Sequence, residues 1–179
     1  MISELAIRNN FSAASFKYEE CADMQNMLAD NLLQEIRRQD IAQGNILDIG
    51  CGTGRLLSSL KSDFPKARVM GLDASFGMVK AAQAKAIVSV VADAAELPFE
   101  SGVFDLVVSN AAYQWVRDLG AAFKEAGRVL KNNGIFIFNC FASATLKELR
   151  ECFGILESFL PDERLVRSAL RESCFREIG

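Results

Sequence analysis

A chain of 179 residues, half of them apolar, is long enough to bury one sizeable core and is the length of one domain. Its 20 basic and 23 acidic residues leave a net charge of -3 with no charged block, which excludes an electrostatic footprint for nucleic acid or an anionic membrane. Histidine is absent, so Ser-His-Asp and Cys-His nucleophilic sites and histidine metal centres are excluded too.

The opening residues, MISELAIRNNFSAASFKYEE, contain neither a basic n-region nor a continuous apolar run, and no later apolar run reaches membrane-spanning length. A soluble, cytoplasmic protein is expected. Five cysteines are scattered without a C-x-x-C pair, the pattern of reduced structural thiols. In the segment 22–36, ADMQNMLADNLLQEI, residues Met24, Met27, Leu28, Leu32, Leu33 and Ile36 fall at helical intervals. Residues 1–40 are therefore expected to form a helical cap, part of the same domain as a core over 41–179.

From residue 45 onward, strand and helix patterns alternate. NILDIG (45–50) predicts a buried strand and 54–63 a helix; RVMGLD (68–73) predicts a strand and 75–86 a helix. IVSVVAD (87–93) and FDLVVSN (104–110) predict two more strands, 118–131 a helix, and GIFIFNCF (134–141) a fifth strand after a KNNG turn. Residues 143–160 read as helical, and Pro161 marks a break before another short helix. Strands apolar on both faces, alternating with helices, predict an α/β fold: a Rossmann-like, mostly parallel sheet covered on each side.

The glycine turn after the first strand narrows the ligand. A P-loop needs lysine and a hydroxyl after its last glycine, but Arg55 and Leu56 follow Gly54. A dinucleotide fingerprint needs a third glycine three residues beyond Gly52, and Arg55 stands there. What remains is Asp48-x-Gly50-x-Gly52-x-Gly54. A carboxylate at the strand's C-terminal edge repels a pyrophosphate and attracts an ammonium group, so a zwitterionic or cationic ligand is favoured.

Further acids continue this crevice. Asp73 ends the second strand, where a carboxylate accepts hydrogen bonds from both hydroxyls of a ribose. Asp93, followed by Ala94, ends the third, where a carboxylate accepts from an exocyclic adenine amine. At a strand-to-helix junction each aspartate alternatively serves as a helix N-cap, and Met78 lies either against a purine face or in the core.

With those residues in place the sequence resembles the class I S-adenosylmethionine-dependent methyltransferases. The resemblance rests on LDIGCGTG (47–54), GLDAS with the following Met78 and Val79, ADAAELPF (92–99), FDLVVSNAAYQWV (104–116) and AGRVLKNNGIFIF (126–138). It implies S-adenosylmethionine as cofactor, with Asp48, Gly50, Gly52 and Gly54 bordering the methionine part, Asp73 and Ala74 the ribose, Met78 the purine, and Asp93 with Ala94 the adenine edge.

FSAASFKYEECADMQNMLADNLL (11–33), SNAAYQW (109–115) and FASATLKEL (141–149) are similar to the malonyl-acyl carrier protein O-methyltransferases of biotin synthesis. This narrower resemblance implies methylation of the free carboxylate of a malonyl thioester, with the malonyl-loaded acyl carrier protein as partner. By position it implies that Tyr18 reaches the cofactor and that Asn110 and Gln114 sit near the transferred methyl. Family members continue beyond the point matching Gly179 with further sheet-edge strands, so a fragment or a shortened protein is expected. A methyltransferase acting on another small metabolite and a catalytically degenerate binding module are the rival expectations.

Overall fold

In this computed structural model the described residues are 12, 23–39, 44–141, 161–173 and 175. Five strands form one parallel sheet: β1 (Asn45–Ile49), β2 (Arg68–Asp73), β3 (Ser89–Val91), β4 (Phe104–Asn110) and β5 (Leu130–Asn139). Their spatial order is β3-β2-β1-β4-β5. The chain starts in the middle, builds to one edge, returns and builds to the other. That reversal opens a crevice beyond the C-terminal ends of β1 and β4, the switch point at which open α/β sheets bind ligands.

The five described α-helices are α1 (Asp23–Arg37), α2 (Arg55–Asp63), α3 (Phe76–Ala84), α4 (Leu119–Val129) and α5 (Glu163–Glu172). Period-two alternation in β1 distributes its side chains to two cores. Leu47 and Ile49 join Leu72, Val107, Phe123 and Ala126 on one face; Ile46 joins Leu106, Val108 and the α1 and α2 leucines on the other. On α1 the buried set is Ala29, Leu32, Leu33 and Ile36, one stripe at i, i+3, i+4, i+7. Met24 and Met27, expected in that stripe, are exposed instead, because helical periodicity puts them with exposed Asn31 and Glu35 on the side of α1 turned away from it.

Other differences from the sequence reading have local causes. The third strand shrinks to Ser89–Val91 because Ile87 packs with Cys51, Leu57 and Ala82 beneath α3, and Ala86, at φ 58, turns the chain between helix and strand. The fifth strand begins at Leu130, ahead of the KNNG segment. Its pairing steps from Phe104↔Leu130 to Leu106↔Ile135, so an advance of five residues on β5 answers two on β4 and the exposed Lys131–Asn133 bulges out. The strand ends at Asn139, short of the expected 141. A one-turn 3₁₀ helix over Tyr113–Trp115 was not foreseen. The expected helix over 143–160 lies outside the described residues; the helix after Pro161 is α5, capped by the Asp162 side chain.

At the N-terminal edge of the sheet, the Asp105 carboxylate accepts from the Asn45 N–H at 2.8 Å and from Lys131 Nζ at 2.8 and 2.9 Å, tying the beginnings of β1, β4 and β5. On one face of the sheet, α4 clips the segment between β3 and β4. Glu125 accepts the Leu97 N–H at 2.8 Å, and Arg128 donates to the carbonyls of Leu97 (3.0 Å) and Phe99 (2.7 Å) while pairing with Glu125. Substituting Arg128→Ala is expected to lower stability by about 1–2 kcal/mol, the range for charge-assisted bonds discounted for partial exposure, as a drop in the urea midpoint. Among the described residues Cys51 and Cys140 are free thiols, and no helix is long and apolar enough to cross a membrane.

Candidate functional site

The turn after β1 is anchored by the N–H groups of Gly50 and Cys51, which both donate to the Leu72 carbonyl at 2.8 and 2.9 Å. Its three glycines share left-handed backbone, with φ of 75, 54 and 84 at Gly50, Gly52 and Gly54, a region that penalises a Cβ. Their surroundings differ. A Cβ on Gly50 would lie 2.2 Å from Ala112 Cβ, and one on Gly54 would lie 2.5 Å from Ile87 Cδ1. At Gly52 the same atom meets open space. Gly50 thus lets the turn pass under the loop after β4, Gly54 lets α2 begin against α3, and Gly52 leaves room for something else.

Asp73, at the end of β2, accepts the Gly52 N–H at 3.0 Å through one oxygen and the Ser75 N–H at 2.8 Å through the other. It is therefore a staple between the glycine turn and the start of α3. The cap of α3 is Ser75, whose Oγ accepts the Met78 N–H at 3.3 Å, which replaces the N-cap alternative for Asp73. Burial pushes the Asp73 pKa up, and the two N–H donors oppose that shift. Asp93 lies two residues beyond β3 and accepts the Ala95 N–H at 2.9 Å in a turn closed by Glu96 N–H to the Asp93 carbonyl. No helix begins at Asp93, the next element being β4, so it is not an N-cap either.

These residues surround a cavity of about 440 Å³. Of those singled out from the sequence, Gly50, Gly52, Asp73, Ala74, Met78, Asp93, Ala94 and Asn110 all line it. Among the described residues its charged lining consists of Asp73, Asp93, Glu96, Asp118 and one cation, Arg117. Behind it, under α1, lies a smaller space of about 60 Å³ lined by Asp48 and again by Gly50, Gly52 and Asn110. Gly54 lines neither space and serves helix packing. Gln114 lines neither; its Nε2 donates to the Ala111 carbonyl at 2.6 Å, closing the 3₁₀ turn from inside. Tyr18 lies outside the described residues.

Asp48 is 1% exposed, and its Oδ1 has no hydrogen-bond partner. Burial first, and the Asp73 charge second, push its pKa up to about 8. A buried acid in that state stays neutral at neutral pH unless an opposite charge comes beside it.

Sequence reasoning missed two features of the site. Tyr113 forms cavity wall, its ring 4.8 Å from Phe123 and its hydroxyl buried without a partner, so that burial raises its pKa. The FNC segment closing β5 places Asn139 against Asn110, with Asn139 Nδ2 donating to Asn110 Oδ1 at 2.9 Å. A strand-end asparagine was the available signal for the second; the aromatic run Phe136, Phe138 on the neighbouring strand was the signal for the first.

A switch-point cavity lined by Asp73 and Asp93, with the open Gly52 in its wall and the orphaned Asp48 in the smaller space behind it, has the size and polarity to take S-adenosylmethionine. Fold and site together define a class I S-adenosylmethionine-dependent methyltransferase. Residues 47–138 match the family model described as a methyltransferase domain, and the chain belongs to that family. It is 34% identical to a malonyl-[acyl-carrier protein] O-methyltransferase of Geobacter sulfurreducens, over 99% of this chain and 73% of that protein. It is 36% identical to the protein of the same name from Hahella chejuensis, over 94% of this chain and 63% of that one. Coverage falls to 56% of the Legionella pneumophila relative, so the chain spans between about half and three-quarters of these relatives' length. Among solved structures, the methyltransferase complexed with the Haloferax volcanii Trm112 activator matches with a TM-score of 0.76 at 25% identity, over 91% of this chain and 75% of that one. Phosphoethanolamine N-methyltransferase 2 of Haemonchus contortus, solved with S-adenosyl-L-methionine, shares the fold with a TM-score of 0.76 at 20% identity, over 94% of this chain and 42% of that one.

Proposed function

We propose that the protein transfers a methyl group from S-adenosylmethionine to the free carboxylate of a malonyl thioester on acyl carrier protein, in the synthesis of biotin. The observation that carries the cofactor half is the ring of residues around one cavity: open Gly52, unpaired Asp48 behind it, and Asp73 and Asp93 at successive strand ends. The acceptor half is supported by relatives of that name matching 99% and 94% of the chain.

In this reading Asp48 and the Gly50–Gly52 turn hold the methionine end. Asp73 and Ala74 take the ribose; each Asp73 oxygen keeps a second lone pair after accepting its backbone N–H. Met78 lies along the purine, Asp93 and Ala94 meet the adenine edge, and Asn110 stands near the methyl. Tyr18 is proposed to reach the same site, and Gln114 to support the loop beside it.

When bound, S-adenosylmethionine supplies an electrophilic sulfonium methyl, which passes to a carboxylate oxygen while sulfur keeps the electron pair of the broken bond. No residue of the chain has to take a proton, because a carboxylate with a pKa near about 4 is already ionised at neutral pH. The chain's work is positioning and water exclusion. Tyr113, backed by Phe123, Phe136 and Phe138, supplies an apolar wall to one side. Opposite charges cancel during the transfer, so a water-poor wall favours the transition state over the separated ions.

Incubation with methyl-labelled cofactor and malonyl-acyl carrier protein, beside a panel of phenols and amines, tests the acceptor. Label is expected in the carrier protein as a base-labile methyl ester. Label in phenols or amines alone would overturn the acceptor, and failure of the folded protein to bind S-adenosylhomocysteine in calorimetry would overturn the cofactor as well.

A further inference from the structure

Asn139, the last residue of β5, makes four polar contacts where three elements converge. Its Oδ1 accepts the Ala111 N–H at 2.8 Å, and its Nδ2 donates to Asn110 Oδ1 at 2.9 Å and to the Leu28 carbonyl of α1 at 3.3 Å. Its backbone carbonyl accepts the same Ala111 N–H at 3.1 Å. Asn110 Nδ2 in turn donates to the Gln25 carbonyl of α1 at 3.0 Å.

The ends of this network fix its polarity. A backbone N–H can only donate and a backbone carbonyl only accept. Ala111 therefore requires the oxygen of the Asn139 amide, while Leu28 and Gln25 each require an amide NH₂. One arrangement of the two side chains meets all three demands: the Asn139 NH₂ faces the Asn110 oxygen, and the Asn110 NH₂ faces α1. Asn110 lines both the large and the small space, so its remaining N–H and remaining lone pair are the groups a ligand meets. Turning the amide over would exchange donor and acceptor at that wall. Ala111 itself is held at φ 51, a left-handed conformation that a residue with a Cβ keeps only when its surroundings enforce it, and the doubly accepted N–H is such a constraint.

We propose that Asn139 is a positioning residue for the methyl-donor site, acting through Asn110 by fixing which end of its amide faces the ligand. The inference rests on the reading that Asn110 borders the methyl donor. Neither the glycine turn nor the strand-end acids require it.

The test is a double-mutant cycle read by S-adenosylhomocysteine affinity in calorimetry, on wild type, Asn110→Ala, Asn139→Ala and the double variant, with thermal midpoints taken in parallel. Each single substitution is expected to weaken binding about tenfold, the scale of one lost hydrogen bond with its unsatisfied partner. The double variant is expected to bind within about twofold of Asn110→Ala alone, since residues acting in one network are not additive. Losses that multiply in the double variant overturn the proposal, as does an Asn139→Ala protein that binds like wild type. Should Asn139→Ala fail to fold, Asn139→Asp replaces it: the acceptor for Ala111 remains, and the donor for Asn110 is gone. That variant is expected to fold and to lose affinity, and wild-type affinity in it overturns the proposal. A wild-type protein that binds no S-adenosylhomocysteine overturns the methyl-donor reading and this inference with it; intact wild-type binding with multiplied losses overturns this inference alone.

Discussion

Replacing Asp48 with asparagine is expected to make the ligand-free protein more stable and a poorer binder of S-adenosylhomocysteine. In the folded chain burial and the Asp73 charge raise the Asp48 pKa from 3.8 to about 8. Below pH 3.8 the acid is protonated in folded and unfolded chains alike, and its ionisation takes nothing from the fold. As pH rises through the interval up to about 8, the unfolded chain releases this proton while the folded chain retains it, so stability falls steadily. At pH 7, about three units above 3.8, the loss is on the order of 4 kcal/mol at about 1.4 kcal/mol per pH unit. Asparagine has nearly the same shape and no proton to lose. The difference in thermal midpoint between variant and wild type should therefore be small at pH 4 and widen toward pH 8. A difference that stays constant with pH would show that Asp48 does not titrate in this interval. Near pH 8, where Asp48 ionises, the variant should bind S-adenosylhomocysteine more weakly by about tenfold or more, because an ammonium loses a charge-assisted partner, and the difference should shrink toward pH 4.

Gly50→Ala and Gly52→Ala are expected to fail in opposite ways although both residues have positive φ. At Gly50 the new methyl would sit 2.2 Å from Ala112 Cβ, so the β1 turn and the loop after β4 must separate. Left-handed strain and overpacking together should cost about 3–5 kcal/mol, a large part of a typical domain's stability. At Gly52 nothing lies within 4 Å of the new atom, and the stability loss should stay near about 1 kcal/mol. That methyl, however, stands at the wall of the cavity, and S-adenosylhomocysteine affinity should fall about tenfold or more. Denaturant midpoints and calorimetry on the two variants separate these outcomes. Equal stability losses would contradict the division of labour within the turn.

Most of the fold was legible because its signals are local. The apolar runs of β1, β2 and β4 stand within one residue of their expected limits, since buried parallel strands need β-branched and large apolar residues over their whole length. That Gly50, Gly52, Asp73 and Asp93 share one cavity was legible for a related reason: each ends or follows a strand, and parallel strands deliver their ends to one place. Where the reading missed, burial depended on a distant partner. Ile87 looked like strand and fills the gap beneath α3; Met24 and Met27 looked like core and stand on the outward side of α1. The KNNG segment carries turn chemistry, yet it is met by a partner strand on both sides of it and becomes a bulge. Gly54 matched the cofactor spacing and is used for helix packing, a distinction visible only once Ile87 and Ala82 are placed. The Asn110–Asn139 pair joins residues 29 apart in sequence, and no periodicity announces such a meeting.

Because all five strands run the same way, the molecule has two ends with separate tasks. The strand beginnings, joined through Asp105, Asn45 and Lys131, contribute nothing to the described cavity lining, whereas the strand endings and the segments that follow them supply it. An engineer who wants a tougher scaffold has the first end open to redesign. One who wants a different acceptor has the second, and changes at one end need little compensation at the other.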